Sequence, residues 1–403
     1  MKKTIWVNRI VLGFALTSLF SDMGHEMVTS LTPGFLVLLG APPIALGLIE
    51  GISSLAQSAM NLLGGIEADR VANRKPHLFI GYLATAFKAL YFFAYSWPWL
   101  VVIRTLGWMG RGWRGPMRDT LMTETVDRSE YGAAFGFREA MDTVGALSGP
   151  LIGALLLGVF GYRTMFALSA IPGVLSVLVI AFLIRDHRAK QQGMNQKPSA
   201  TKPVAALPPA FWRLLVTNGF FSIGNVAPSF FILAVIAKLS THNVDPIAAS
   251  TIGMFLYTWH NAVYALTAVV AGKQADRMGP RNILLIGYSL LVIAMVGFAL
   301  MPPNILILSV LFTLTGLSAG MQESVQKTYV SLTLPERGRG RGLGIHAGVL
   351  GMGQLVSGVL IGGLWSLGHY PISFMIAGLM VAVSILLLIL MVPKVSHLDI
   401  HQC

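Results

Sequence analysis

The sequence is a succession of apolar runs, each close to the roughly 20 residues that a helix needs to cross a bilayer, with short polar turns between them. About twelve such runs can be read, centred near His25, Leu55, Phe87, Trp108, Ala146, Gly173, Asn225, Trp259, Leu291, Gly316, Gln354 and Val381. Charged residues make up 11% of the chain and hydrophobic ones 54%, where a soluble domain carries about 25% charged residues. In lipid every backbone polar group needs a partner within the segment, so helices are the expected elements. The expectation is an all-α membrane protein of twelve transmembrane helices. Met1–Arg9 is short and basic, and the run after it has no small-residue cleavage site, so it is expected to stay as the first span. The single cysteine, Cys403, excludes an internal disulfide framework.

The formal charge of +12 would suggest nucleic acid in a soluble protein. Here its placement explains it. With a cytoplasmic N-terminus, the even-numbered turns hold Arg70, Arg74, Lys75, Arg128, Arg185, Arg188, Lys190, Arg277, Arg281, Arg337, Arg339 and Arg341, whereas the odd-numbered turns hold only Arg163, with Lys238 just before one of them. This is the positive-inside pattern, with both termini cytoplasmic and no nucleic-acid partner required.

The longest polar stretch, 185–209, has no apolar periodicity and reads as a cytoplasmic linker. It separates a six-helix half, 1–184, from a second, 210–403. The halves repeat one another. Gly65-Ile-Glu-Ala-Asp69-Arg70 returns as Gly272-Lys-Gln-Ala-Asp276-Arg277, and Ser148-Gly149-Pro150-Leu-Ile-Gly153 returns as Ser357-Gly358-Val-Leu-Ile-Gly362, at nearly one offset. Pseudo-symmetric halves around a midplane site are a common plan for transporters.

The first span carries Asp22, His25, Glu26 and Thr29 at i, i+3, i+4 and i+7, one face of a helix. Ionisable groups at that depth are costly and normally face a cavity, where they mark a proton or substrate path; the structural alternative is a buried ion pair that only ties helices together. Lys88 stands mid-span in the third run and calls for a buried partner. In the fourth, Arg104 and Arg111 lie deep, with Asp22, Glu26, Asp142 or an anionic substrate as possible partners, while Arg114 and Arg118 are expected at the cytoplasmic surface. The seventh run presents Asn218, Ser222, Asn225 and Ser229 as a polar stripe, and the eighth places Tyr257, His260, Asn261 and Tyr264 on one side. These are candidate cargo contacts, although polar residues also hold membrane helices together. Glu323 and Lys327 read as a surface i, i+4 pair, and His346 as interfacial.

Gly65-x-x-x-Asp69-Arg70-x-x-Asn-Arg74-Lys75, after the second span and repeated after the eighth, resembles the loop signature of the major facilitator superfamily. The resemblance implies a conformational, gating role for Gly65, Asp69, Arg70, Gly272, Asp276 and Arg277. Arg104-Thr-Leu-Gly107-Trp108-Met-Gly110-Arg111-Gly112 is similar to the family's fourth-helix motif, associated there with proton transfer, but has Gly107 and Trp108 where the usual glutamine and first glycine stand. Gly145-x-x-x-Gly149-Pro150-x-x-Gly153 resembles the fifth-helix motif of its proton-coupled antiporters. Read directly, these glycines form a smooth packing face and Pro150 bends the helix.

The resemblance implies a secondary transporter in the inner (plasma) membrane of a bacterial cell, a monomer working on a small molecule and protons. Asp22, Glu26, His25, Arg104, Arg111 and Asp142 are its candidate coupling residues. Antiport (efflux of a drug, metabolite or siderophore-like compound) is favoured by the fifth-helix motif. Symport of an anionic or metal-chelate solute, and a non-transporting receptor on the same fold, remain as alternatives. No Walker loop or catalytic constellation is present, so neither ATP nor a cofactor is expected, and the chain is not read as an enzyme. His25 with its acidic neighbours lies within one helix turn and does not close a metal sphere.

Overall fold

The computed structural model describes residues 8–71, 73–127, 130–184, 207–334 and 339–392. Every regular element among them is helical: α1 (Arg9–Leu38), α2 (Pro43–Arg70), α3 (Lys75–Ala86) running into a 3-10 segment (Phe87–Phe93), α4 (Trp97–Thr123), α5 (Tyr131–Leu168), α6 (Ala170–Leu183), α7 (Pro209–Gly224), α8 (Pro228–Ser240), α9 (Pro246–Met278), α10 (Pro280–Leu300), α11 (Ile305–Leu332), α12 (Arg339–Ser366) and α13 (Tyr370–Met391). Gly161, at φ 70°, breaks α5 into two stretches; only glycine takes that conformation without strain. Its second stretch continues into α6, as α7 continues into α8. With α3 and the 3-10 segment counted together, the described helices make twelve passes.

Six helical stretches are long and apolar enough to cross a membrane by length and composition. Of the helices outside that group, α1, α2 and α4 carry acids or arginines along their length, α3 is short and passes into the 3-10 segment that holds Lys88, and α9 is diluted by polar side chains such as His260 and Asn261.

Breaks follow from local chemistry. Pro228 cannot donate a backbone N–H and disfavours helical geometry at Ala227, so α7 ends at Gly224 and α8 starts at Pro228. The expected continuous stripe of Asn218, Ser222, Asn225 and Ser229 is therefore interrupted, with Asn225 in the non-helical gap. Its carbonyl, released from the helix ladder, accepts from Gln354 Nε2 at 3.0 Å. Asp245 and Asn304 cap α9 and α11 by accepting two backbone N–H bonds each.

The chain divides into two compact units, one of Met1–Thr32 with Ala56–Thr201, the other of Pro33–Leu55 with Lys202–Cys403. Residues 33–55, part of the half 1–184 as read from the sequence, group with the second unit. Small residues explain this. Gly47 of α2 faces the backbone of Gly358, Gly51 faces Leu355, and Gly362 faces Ile44, so α2 and α12 touch backbone to backbone. Ser366 Oγ also accepts from Ile44 N at 2.9 Å. In the first unit a core of Val11, Phe14, Leu78, Tyr82, Met117 and Ile180 is fully buried. In the second, Phe231 stacks on Phe298 at 4.6 Å, and Phe298 on Phe374 at 5.6 Å.

Candidate functional site

The first unit gathers its charges where α1, α3, α4 and α5 meet. Asp22, only 4% exposed, accepts a two-pronged bond from Arg111, Nη1 to Oδ1 at 2.9 Å and Nη2 to Oδ2 at 3.0 Å. The fork geometry of guanidinium and carboxylate makes this the strongest kind of side-chain ion pair. Asp142 of α5 is a neighbour of Asp22 and lies 4.0 Å from Arg138, one turn earlier on α5.

A second cluster adjoins the first. Lys88 Nζ, on the 3-10 segment, donates to His25 Nδ1, and His25 Nε2 lies 3.7 Å from Glu26 Oε1. Trp108 presents its ring to His25 edge-on at 5.1 Å and to the Arg104 guanidinium at 5.5 Å. Arg104 Nη1 also donates to Thr29 Oγ1 at 3.3 Å. All six expected coupling residues, Asp22, His25, Glu26, Arg104, Arg111 and Asp142, therefore stand in these two adjoining clusters.

Arg114 departs from expectation. It is buried instead of lying at a surface, donating to Ser21 Oγ at 2.7 Å and Thr85 Oγ1 at 3.1 Å with its guanidinium 3.7 Å from the Tyr82 ring centroid. The close approach of α3 and α4 at Gly81 and Gly110 carries its stem inward. Arg118 is half-buried and paired with Asp119 at 2.9 Å.

The fifth-helix glycines pack as a smooth face should. Gly145 sits on the Leu19 carbonyl and Gly149 on that of Met23, both of α1; Pro150 and Gly153 are buried on the same helix. The repeated loop signature is mostly helical: Gly65 to Arg70 form the last turns of α2, and Gly272, Asp276 and Arg277 those of α9. Arg70, Asp276 and Arg277 are exposed, and the Asp69 side chain lies outside the described residues. The basic residues that follow act as latches. Arg74, 1% exposed, donates twice to the Ala68 carbonyl, at 2.9 and 2.8 Å, and once to Glu124 at 3.0 Å. Arg281 donates to Leu388 and Ile389 carbonyls at 3.3 and 2.7 Å. Each places a cation on the unsatisfied carbonyls of a helix C-terminus.

The second unit contains a cavity of about 620 Å³. Of the expected cargo contacts, Ser222, Asn225 and His260 line it. Asn218 is buried behind the wall, and Tyr257 and Asn261 are set back, Tyr257 stacking on His260 at 5.8 Å. Gln322, Gln326 and His346 also line it and were not singled out as cargo contacts. Their signal was present: Ser318, Gln322 and Gln326 form an i, i+4, i+8 polar stripe on α11. A hydrogen-bond chain backs the wall, Gln326 Nε2 donating to Tyr288 Oη at 2.7 Å, Tyr288 to Asn218 Oδ1 at 3.2 Å, and Asn218 Nδ2 to His346 Nε2 at 2.9 Å. His346 is thus buried, not interfacial. Glu323 and Lys327, the charged residues of the lining, pair at 3.4 Å, and Tyr264 Oη donates to Glu323 at 2.7 Å. With the histidines neutral, the formal charges of the described lining residues cancel.

The sequence profile described as the Major Facilitator Superfamily matches residues 14–255 and 220–400. The chain belongs to that superfamily. It is a multi-pass membrane transporter and not an enzyme. Among relatives, an uncharacterized MFS-type transporter of Methanocaldococcus jannaschii is 28% identical over 95% of this chain and 94% of its own. A probable 4-methylmuconolactone transporter of Cupriavidus pinatubonensis is 25% identical over 79% and 73%. The multidrug resistance protein MdtG of Escherichia coli is 29% identical over 47% and 46%. Among solved structures, a bacterial homologue of the human lysosomal transporter Spinster superposes with a TM-score of 0.75 over 96% of this chain and 97% of its own, at 15% identity. The nucleoside transporter NupG gives 0.74 over 94% and 98%, also at 15%. Identities this low carry the fold alone.

Proposed function

We propose that the protein is a proton-coupled antiporter that exports a small polar organic molecule by alternating access. The observation that carries this reading is the Asp22–Arg111 fork with Asp142 beside it. Protonating the acid pair releases Arg111 and removes the fork that joins α1 to α4. Breaking a buried ion pair costs about 3–5 kcal/mol, and taking a two-state equilibrium from 1:99 to 99:1 takes about 5.5 kcal/mol. One proton therefore supplies about half or more of the energy needed to change between two conformations.

Export is supported by the packing of Gly145 and Gly149 on α1, the same helix that carries Asp22, and by the likeness to MdtG over half the chain. The cargo site is the cavity of the second unit, with Ser222, Asn225, His260, Gln322, Gln326 and His346 as its hydrogen-bonding groups. Its neutral wall favours a cargo without net charge, and Phe221, stacked on Tyr288 at 4.2 Å, offers a flat apolar surface to a planar one. The probable 4-methylmuconolactone transporter among the relatives is in keeping with a small metabolite. Inside-out vesicles, energised and reporting internal pH through a dye, test the proposal against a panel of lactones, nucleosides and planar drugs. Proton release on adding one compound, absent in Asp22→Asn, supports antiport. Proton entry driven by the same compound in right-side-out vesicles, with no release in inside-out ones, makes it a symporter.

A further inference from the structure

Lys88 has no part in the scheme above, and its surroundings are unusual for a buried cation. It is 2% exposed, stands on the 3-10 segment that interrupts the third pass, and directs its amine at a neutral acceptor, His25 Nδ1. Gly107 makes room for it: a Cβ there would lie 3.2 Å from Lys88 Cε. Behind the amine is a polar pocket of about 10 Å³ lined by Ser21, His25, Thr85, Lys88, Ser169 and Ser176, room for about one water. On its far side the imidazole faces Glu26 through Nε2, at 3.7 Å, and the Glu26 side chain keeps 16% of its exposure. The other charged groups around this row are Asp22 on α1, Arg104, Arg111 and Arg114 on α4, and Asp142 on α5; Ser169, between α5 and α6, and Ser176 of α6 add hydroxyls.

We propose that Lys88, His25 and Glu26 form a dead-end proton store, loaded and emptied through Glu26. In the loaded state Lys88 is an ammonium donating to Nδ1, His25 carries its proton on Nε2, and Glu26 is a carboxylate. On emptying, a Lys88 N–H bond breaks as Nδ1–H forms, and the Nε2–H bond breaks as a Glu26 O–H bond forms. Glu26 then loses that proton to water. What remains is a neutral amine accepting from Nδ1–H. Loading is the reverse, so the ring never has to turn over. Imidazole suits the middle position because its two nitrogens exchange donor and acceptor roles in one step. The inference goes beyond the coupling pair: it adds a second proton site beside it, outside the exchange stoichiometry, and Lys88 acts through His25 without touching cargo.

Stopped-flow jumps from about pH 6 to about pH 9, on the purified full chain in detergent with an indicator dye, test this directly. An ordinary lysine, near 10.4, keeps its proton throughout that range. Expected is a fast release in the wild type. In His25→Gln about one proton per chain should move to a phase at least 10-fold slower, and in His25→Gln/Lys88→Met that proton should be missing. Adding free imidazole to His25→Ala should restore the fast phase, a rescue that lost packing would not give. Equal proton counts in the single and double variants, or a wild-type rate in His25→Gln, would overturn the store. Asp22→Asn separates this idea from the coupling proposal. If it releases as the wild type does while the His25 and Lys88 variants behave as expected, the coupling pair fails and the store stands.

Discussion

Replacing Asp22 by asparagine and Arg111 by glutamine, singly and together, probes the fork between α1 and α4. Asp22 is almost fully buried while the Arg111 side chain keeps 25% of its exposure, so the low end of the range for a broken buried pair applies, about 3 kcal/mol. The two single variants should not be equal. Asp22→Asn strands a guanidinium that cannot give up its proton, leaving Asp142 and, less directly, Glu26 to balance it. Arg111→Gln strands two adjacent acids, and a carboxyl can neutralise itself by taking up a proton, so its loss should be smaller, about 1–2 kcal/mol. The double variant, with no charge left across the fork, should recover at least half of the larger loss. About 3 kcal/mol is a factor of about 100 in population, ample to read as a shift in thermal unfolding of the detergent-solubilised protein, followed by size-exclusion fluorescence. Additive single losses, or an Asp22→Asn protein as stable as the wild type, would refute the claim that these two side chains form one electrostatic unit.

Three further outcomes are expected. Gly149→Leu should leave the protein in the membrane but abolish vesicle transport, because its side chain would be driven into the Met23 carbonyl and overpacking costs about 1–3 kcal/mol; normal transport would make the glycine face incidental. Gln326→Leu should weaken cargo binding about 10-fold, the worth of about one hydrogen bond, and unchanged affinity would remove the second-unit cavity as the cargo site. Exchange of a neutral cargo for a proton moves charge, so a potential of 100 mV clamped by valinomycin and potassium, worth about 2.3 kcal/mol per charge, should change the limiting cargo gradient up to about 50-fold; no response would mean a charged cargo or a balanced exchange.

Much of this was legible in the sequence because membrane proteins announce both their spans and their exceptions. Asp22, His25 and Glu26 stand out in an apolar run since burying them is costly, and the same cost brings Arg111 and Lys88 to meet them. The repeated Gly and Asp-Arg segments marked the halves. What was not legible depends on contacts distant in sequence. Arg114 looked like a basic helix end, and only the approach of α3 shows it buried over Tyr82. His346 looked interfacial because Asn218, its partner, lies 128 residues away. The assignment of 33–55 to the second unit rests on backbone contact between Gly47 and Gly358 that no local pattern encodes. The break at Asn225, by contrast, could have been read from Pro228, and was hidden by the regular spacing of polar residues across it.

The central claim is that cargo and proton exclude one another through the acids of the first unit. Titrating cargo found in the vesicle screen into purified protein, in two buffers of different ionisation enthalpy, counts the protons exchanged on binding. The account predicts release of a proton on binding to the wild type and none in Asp22→Asn. Uptake of a proton, or binding indifferent to buffer in the wild type, would contradict it.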